Sequence, residues 1–188
     1  MTLQTQRLLI RPFESADFDA FLAYAADVEL CHMIGWPDLS NRKTARTIFD
    51  GLLNEEGTCA LVDKARHAVI GNISFKPPHP YLAQDERLKP YRGGCLSYAI
   101  SARCRRQGFV SEAVSKVLEH LFIEEGVDYV NSGFFSFNEP SRRLQEKFGF
   151  RYLGTHVFSL GGEEITVIEN ILWRSDYEAH RAGYNEKF

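Results

Sequence analysis

A strand, a basic turn, a glycine and a helix follow one another within residues 96–113, and this order of residue types can bind an anion. The first amides of a helix have no partner inside the helix and lie at the positive end of its dipole, so they attract phosphate groups. Gly108 lets a ligand approach the backbone where a Cβ would intrude. Arg103, Arg105 and Arg106 add positive charge, although such a turn is equally typical of a solvated surface.

Other motifs that would assign chemistry are missing from the sequence. It contains neither a GxxxxGK[ST] loop for nucleoside triphosphates nor a GxGxxG turn for dinucleotides. It also lacks GxSxG and HExxH, the usual signatures of an α/β-hydrolase and a zinc protease. The four cysteines form no CxxC pair, which predicts four buried or half-buried thiols and no metal site; they are Cys31, Cys59, Cys95 and Cys104.

Composition and charge disfavour several classes of partner. The chain has 188 residues, 44% of them hydrophobic, and this length predicts one domain over residues 1–188. Lysine and arginine total 22 against 25 aspartates and glutamates, and the resulting net charge of -3 disfavours nucleic acid. The sequence has no apolar run long enough to cross a membrane and no export signal at its start, so we expect no membrane partner and a cytoplasmic protein.

Hydrophobic spacing predicts the elements that position the basic turn. One continuous apolar face predicts a helix over 109–125, formed by Val110, Ala113, Val114, Val117, Leu118, Leu121 and Phe122. Strands are predicted over 7–12, 59–62, 69–75, 96–100, 129–137, 152–160 and 164–173. Further helices are predicted over 15–26, 28–34, 42–53 and 140–148, and after residue 173.

This order of elements predicts an α+β fold with a mixed sheet of about seven strands flanked by helices, and it does not match the strict alternation of a Rossmann fold. Gly161-Gly162 is expected to form a tight hairpin turn. A polar, proline-interrupted stretch of 17 residues runs from Pro77 to Gly93. Because connections of this length are more often functional than structural, we expect it to act as a loop or lid.

Three blocks of the sequence resemble the GNAT N-acetyltransferases. Residues 105–110 (RRQGFV) resemble the [QR]xxGx[GA] signature, whose amides hold the pyrophosphate of acetyl-CoA in this family. Residues 138–150 (NEPSRRLQEKFGF) are similar to the NxxSxxLxEKxGF block, which forms the other half of the cofactor cleft. Residues 5–17 (TQRLLIRPFESAD) resemble the opening of the RimJ/RimL branch, which acetylates ribosomal-protein N-termini.

The resemblance implies a GNAT fold, acetyl-CoA entering where two central strands splay, and direct attack of a primary amine on the thioester without a covalent enzyme intermediate. The acceptor would be a protein or peptide N-terminus, as the branch suggests, or a small amine, with residues 77–93 influencing the choice. The resemblance also admits a homodimer. The alternatives are a non-catalytic sensor that binds acyl-CoA and an unrelated α+β binding domain.

The resemblance also implies a set of site residues. Backbone groups of Tyr98, Ala99 and Ile100 would bind the pantetheine and polarise the thioester. Ser141 would reach the sulfur beside Asn138, although both residue types also cap helix starts. The remaining cofactor-binding residues would be Arg105, Arg106, Gln107, Gly108, Phe109, Val110 and Ser111.

The chain departs from the family pattern at several positions. Val110 stands where glycine or alanine is usual, and Arg106 replaces a frequent small residue. Gln145 occupies the position where many members have a tyrosine that protonates the CoA thiolate. Phe158-Ser159-Leu160 stands where related enzymes often have a glutamate base. The base is therefore left open among Glu29, His32, His79, Asp85, Glu86, His156 and Glu169. Water alone is a further alternative, because an N-terminal amine has a pKa of about 8.

Two further groups of side chains could surround the ligands. A basic group that could reach a CoA phosphate, or simply be solvated, consists of Arg142, Arg143 and Lys147. An aromatic group that could line the acceptor entrance, or simply belong to the core, consists of Trp36, Phe75, Tyr81 and Tyr91.

Overall fold

The computed structural model describes residues 1–160 and 162–185 of the chain. Its strands are β1 (Leu3–Gln4), β2 (Leu8–Arg11), β3 (Thr58–Asp63), β4 (Ala68–Lys76), β5 (Gly93–Ile100), β6 (Tyr129–Phe135), β7 (Arg151–Leu160) and β8 (Glu163–Trp173). They form one sheet in the order β1-β2-β3-β4-β5-β6-β8-β7. The pair β5/β6 is parallel, whereas β6/β8 and β7/β8 are antiparallel, so the predicted mixed sheet is confirmed. The two-residue β1 accounts for the eighth strand.

The helices are α1 (Phe18–Ala25), α2 (Val28–Ile34), α3 (Arg42–Asn54), α4 (Pro80–Ala83), α5 (Phe109–Glu119), α6 (Glu139–Lys147) and α7 (Arg174–Asn185). A 3-10 turn at Ser15–Asp17 precedes α1. The helix predicted over 109–125 is α-helical to Glu119 and continues as a π-helical turn at His120–Glu124. The stretch 77–93, predicted as a loop, contains the short helix α4.

Contacts divide the chain into two compact units. The first unit contains residues 1–76 and 97–117, and the second unit contains residues 77–96 and the chain from residue 118 onward. The single domain over residues 1–188 therefore stays a prediction.

The first unit is built on the antiparallel strands β1 to β4. Its core is rich in aromatic rings that meet edge to face, among them Phe13, Phe18 and Phe49. The helix α3 begins after Asn41, whose side chain accepts hydrogen bonds from the amides of residues 43 and 44. This cap places the start of α3 at Arg42, the first residue of the predicted helix.

The second unit is built on β6, β8 and β7. The parallel pairs of β5 with β6 run over Gly93–Cys95 and 129–131, three residues of each strand. Gly149 follows α6 with a φ of +79°, a left-handed conformation in which glycine commonly ends a helix. Gly162 lies in the β7–β8 hairpin with a φ of +91°, whereas Gly161 lies outside the described residues.

The four thiols have the environments that the sequence predicts. Cys31, Cys59 and Cys104 are buried and Cys95 is half-buried, and within the described part of the chain none of the four forms a disulfide. Among residues 1–160 and 162–185, every helix is too short or too polar to cross a membrane.

Candidate active site

The predicted strand, basic turn and helix are present in the first unit. The second half of β5 leads through a 3-10 turn at Ala102–Cys104 into the basic turn, and α5 starts at Phe109. Gly108 has a φ of +82° and Arg106 a φ of +60°. Left-handed backbone is natural for glycine and costs a side-chain-bearing residue about 1 kcal/mol. Arg106 therefore holds a conformation that glycine would adopt without strain.

The backbone of β5 presents two different edges around Ala99. The amide of Ser101 donates to the carbonyl of Ile70 in β4 at 2.8 Å. The carbonyl of Ala99 also lies against β4, because a Cβ on Gly71 would stand 2.2 Å from its oxygen. Backbone groups of successive strand residues point to opposite edges. The backbone groups of Tyr98 and Ile100 are thus directed away from β4, and the carbonyl of Ala99 is not.

The arginines of the turn fall into two groups. Arg105 pairs with Glu29 at 3.3 Å and with Asp27 at 3.7 Å, so its charge is engaged within the first unit. Arg103 and Arg106 are exposed, and their side chains have no hydrogen bond or ion pair among the residues that the structure describes. The positive charge available to an anion at this turn therefore comes from Arg103 and Arg106.

A carboxylate in α5 fixes the turn to the N-terminal segment. Glu112 accepts hydrogen bonds from the Thr5 hydroxyl, from the Arg7 amide at 2.9 Å and from Arg7 Nε at 2.6 Å. Arg7 Nη1 in turn donates to the carbonyl of Gln107 at 2.9 Å. Burial acts to raise the pKa of Glu112, but the hydrogen bonds from Thr5 and Arg7, with the charge of Arg7, hold it below its ordinary value. These contacts, called the Glu112 clamp below, join Thr5 and Arg7 of the N-terminal sequence block to the basic turn and to α5.

Asn138 and Ser141 lie at the start of α6 in the second unit. The Asn138 side chain caps the helix by accepting a hydrogen bond from the Ser141 amide at 3.1 Å. Ser141 is buried, and its hydroxyl oxygen accepts a hydrogen bond from Gln145 Nε2 at 3.4 Å. Ser141 therefore contributes an acceptor to the polar contacts of Gln145.

Gln145 has a structural role of its own. It is 2% exposed, donates to the Ser132 hydroxyl at 3.0 Å and accepts from Asn170 Nδ2 at 2.9 Å. The amide is therefore satisfied within a buried polar network that joins α6 to β6 and β8.

The predicted basic and aromatic groups are mostly engaged elsewhere. Arg142 and Arg143 pair with Glu139, and these two arginines lower the pKa of Glu139 to about 2. Trp36 packs against Phe21 in the first core, with ring centroids 5.8 Å apart. Tyr91 packs edge to face on Trp173, whereas Tyr81 lines a cavity.

That cavity brings three of the candidate bases together in the second unit. It has a volume of about 170 Å³ and is lined by Tyr81, Leu82, Asp85, Arg87, Leu153, Gly154, Thr155, His156 and Glu169. Glu169, on β8, is 5% exposed and accepts hydrogen bonds from the Tyr81 hydroxyl and from Asn131 Nδ2. His156 Nδ1 lies 3.9 Å from Glu169 Oε1.

Sequence reasoning did not single out Asn131 or rank Glu169 above the other candidates. Both residues interrupt apolar strands, β6 with the sequence YVNSGFF and β8 with EEITVIENILW. A charged or amide side chain in such a run is costly to bury unless it is partnered, which is the signal that could have found them. Across residues 1–160 and 162–185, His, Cys, Asp and Glu form no group of three or more that could hold a metal ion.

Most of the chain is similar to known acetyltransferases in sequence. Residues 7–151 match the sequence profile of a family described as Acetyltransferase (GNAT) domain. An uncharacterised N-acetyltransferase of Bacillus subtilis (strain 168), YoaA, is 29% identical over 157 residues, which cover 81% of this chain and 84% of that protein.

Two solved structures show the fold that the resemblance implied. A GCN5-related N-acetyltransferase from Brucella melitensis has a TM-score of 0.82 at 17% identity, covering 99% of this chain and 84% of that one. The ribosomal-protein-S5-alanine acetyltransferase from Vibrio fischeri has a TM-score of 0.69 at 16% identity, covering 94% of this chain and 98% of that one. The predicted GNAT fold is thereby confirmed.

Proposed function

Because the chain belongs to the GNAT family of acetyltransferases, we propose that it moves the acetyl group of acetyl-CoA to the nitrogen of a primary amine by direct attack in a ternary complex. The observation that carries the proposal is the turn before α5. There Gly108 adopts left-handed backbone at the start of a helix, beside the exposed Arg103 and Arg106. These features fit a pyrophosphate, which needs unobstructed amides and positive charge.

The residues divide into those that bind the cofactor and those that hold the binding residues in place. The amides that would bind the pyrophosphate belong to Gln107, Gly108, Phe109, Val110 and Ser111. Arg106 would add its charge to this site. Arg105 pairs with Asp27 and Glu29, so it would hold the turn in place and would not bind the ligand itself.

The acetyl group arrives as a thioester, which is already activated for attack. The strand groups directed away from β4, those of Tyr98 and Ile100, are suited to bind the pantetheine and to polarise the thioester carbonyl. By the family resemblance, the Ser141 hydroxyl at the start of α6 would donate a proton to the departing sulfur. Asn138 positions Ser141 through the helix cap. These roles rest on the family resemblance and on the local geometry of each unit.

The acceptor is proposed to be a protein or peptide N-terminus or a small primary amine. A protein acceptor is supported by the likeness in fold to the Vibrio fischeri protein, which is a ribosomal-protein-S5-alanine acetyltransferase. The alternative function, an acyl-CoA sensor without turnover, is favoured by one observation: Gln145 replaces the family's usual proton-donating tyrosine and is committed to a structural network.

Thiol release distinguishes the two functions. We expect wild-type protein to release free CoA thiol from acetyl-CoA when peptides with free N-termini and small primary amines are supplied, and to release little without them. The rate should rise hyperbolically with one or more of these amines. Binding of acetyl-CoA with no release for any amine would identify a sensor and contradict the transferase.

Replacing Arg106 with glycine should separate stability from affinity. Glycine removes the left-handed strain, so the free energy of unfolding should stay level or rise by up to about 1 kcal/mol. The affinity for acetyl-CoA should fall severalfold because a cation is lost. His67→Gly is the matched control, since His67 has a φ of +50° in the β3–β4 turn. It should relieve similar strain without changing affinity, and equal affinities in both variants would remove Arg106 from the site.

A further inference from the structure

Glu169 is a buried carboxylate that forms no ion pair with a lysine or an arginine among the described residues. Its oxygens accept hydrogen bonds from the hydroxyl of Tyr81 and, at 3.1 Å, from Asn131 Nδ2. Among the described residues, no lysine or arginine pairs with it, and the imidazole of His156 at 3.9 Å is its nearest basic group. A buried carboxylate is costly unless a cation or a full set of donors compensates it. The arrangement therefore has room for one more donor or positive charge.

The space beside Glu169 exists because both neighbouring strands lack a side chain there. Gly133 on β6 and Gly154 on β7 are the residues paired with Glu169. A Cβ on Gly133 would lie 2.4 Å from Glu169 Oε1, so only glycine leaves the carboxylate in place. A Cβ on Gly154 would meet nothing within 4 Å, because Gly154 faces the cavity.

Two buried polar atoms around the carboxylate lack a hydrogen-bond partner among the described residues. They are His156 Nδ1 and Asn131 Oδ1, and Asn131 is fully buried. His156 Nδ1 and Glu169 Oε1 are 3.9 Å apart, which is too far for a direct hydrogen bond between them. A ligand nitrogen that carries several hydrogens supplies the donors that these acceptors lack.

The walls of the cavity favour a cationic group on an apolar stem. The rings of Tyr81 and His156 pack with centroids 4.2 Å apart, and Leu82 and Leu153 supply apolar surface. The other two charged residues at the cavity, Asp85 and Arg87, form an ion pair with each other, with 2.6 Å between Arg87 Nη2 and Asp85 Oδ2. The volume of about 170 Å³ compares with about 150 Å³ for a cavity that admits benzene, so the end of a small amine fits.

We propose that this cavity receives the amino group of the acceptor as an ammonium ion and that Glu169 is the base that takes its proton. This inference rests on the proposed acetyl transfer. One N–H bond of the ammonium breaks and its proton passes to a Glu169 oxygen, which leaves the nitrogen lone pair free for attack. A C–N bond then forms to the thioester carbon and the C–S bond breaks. The second proton lost by nitrogen goes to the sulfur, and Glu169 returns the first proton to solvent.

Amines of different basicity test this role at one pH. Glu169→Gln keeps the shape of the side chain but cannot accept the proton. For alkylamines that are protonated at the assay pH, we expect kcat/KM for thiol release to fall by about 100-fold or more, the usual worth of a general base. For hydroxylamines and aromatic amines, which are neutral at that pH, the loss should be several times smaller because no proton must be removed before attack.

Control variants separate this role from a structural one. Glu164→Gln changes an exposed carboxylate on the same strand and should leave kcat/KM unchanged. Gly154→Val fills the cavity without disturbing the core, so it should raise the KM of the amine at least 10-fold and keep the dissociation constant of acetyl-CoA. This variant also tests the cavity should Glu169→Gln fail to fold.

Three outcomes are distinguishable. Equal losses for protonated and neutral amines would make Glu169 structural and overturn its role as a base. Normal amine KM in a folded Gly154→Val variant would overturn the cavity as the acceptor site, although transfer itself would stand. No transfer by wild-type protein to any amine would overturn the proposed function, and this inference with it.

Discussion

Replacing Gly108 with tryptophan should abolish saturable binding of acetyl-CoA while the protein stays folded. Gly108 has a φ of +82°, and a side chain there would start 3.3 Å from Arg7 Nη2. It would occupy the space through which the proposed pyrophosphate would approach the amides of α5. We expect an affinity loss of at least about 100-fold, equivalent to about 2.8 kcal/mol. The positive φ should cost a further 1 kcal/mol or so of folding free energy. Calorimetric titration and thermal unfolding measure the two effects separately.

Gly162→Trp is the matched control for backbone strain. Gly162 has a φ of +91°, and a Cβ on it would meet nothing within 4 Å, so the substitution imposes a similar strain in the β7–β8 hairpin. Its affinity for acetyl-CoA should equal that of the wild type. A folded Gly108→Trp protein that still binds acetyl-CoA normally would show that the pyrophosphate does not lie on this turn.

Glu112→Gln should give the largest loss of stability among the site variants. The amide can still accept a hydrogen bond at one atom, but its NH2 group faces Arg7 Nε, which is itself a donor. The half-buried ion pair and its charge-assisted hydrogen bonds are lost together. We expect the free energy of unfolding to fall by about 2–3 kcal/mol in denaturant titrations. Binding of acetyl-CoA should also weaken, because Arg7 then holds the carbonyl of Gln107 less firmly.

The stabilisation by Glu112 should depend on pH in one direction. Its pKa in the folded protein lies below the ordinary value of 4.5, so the unfolded chain binds the proton more readily. The difference between wild type and Glu112→Gln should be fully present above the unfolded pKa and should shrink as the pH falls through the folded one. Glu146→Gln, which breaks an exposed pair with Arg142, should cost under about 0.5 kcal/mol. Equal effects in both variants would show that the Glu112 clamp does not exist.

Local capping and periodicity explain why much of the fold was predictable. The helix α2 was predicted over 28–34 from its sequence, and the structure adds its cap, Asp27. The end of α6 at Gly149 follows from a conformation that glycine adopts easily. In contrast, β1 has two residues, and its pairing with β2 depends on tertiary contact rather than on a pattern. The π-helical turn after Glu119 likewise has no counterpart in the apolar spacing, which continues through Phe122.

The candidate site was predictable where chemistry follows chain order. The basic turn and Gly108 are adjacent in sequence, and the left-handed conformation of Gly108 follows from a backbone preference of glycine. The left-handed conformation of Arg106 runs against its own preference and could not be predicted in this way. One partner of Arg105, by contrast, lies 76 residues away at Glu29, so its engagement could not be read from the turn. The same holds for Glu169, whose neighbours Tyr81 and Asn131 come from distant segments and meet only in the folded second unit.

Transfer of acetyl from a thioester to an amine nitrogen is tested most directly by the mass spectrum of the acceptor. Wild-type protein would be incubated with acetyl-CoA and a mixture of peptides and small primary amines. We predict that at least one amine gains the mass of an acetyl group, in amounts equal to the free CoA thiol formed. Thiol released without an acetylated amine, or acetyl-CoA bound without either product, would contradict acetyl transfer as the function of this protein.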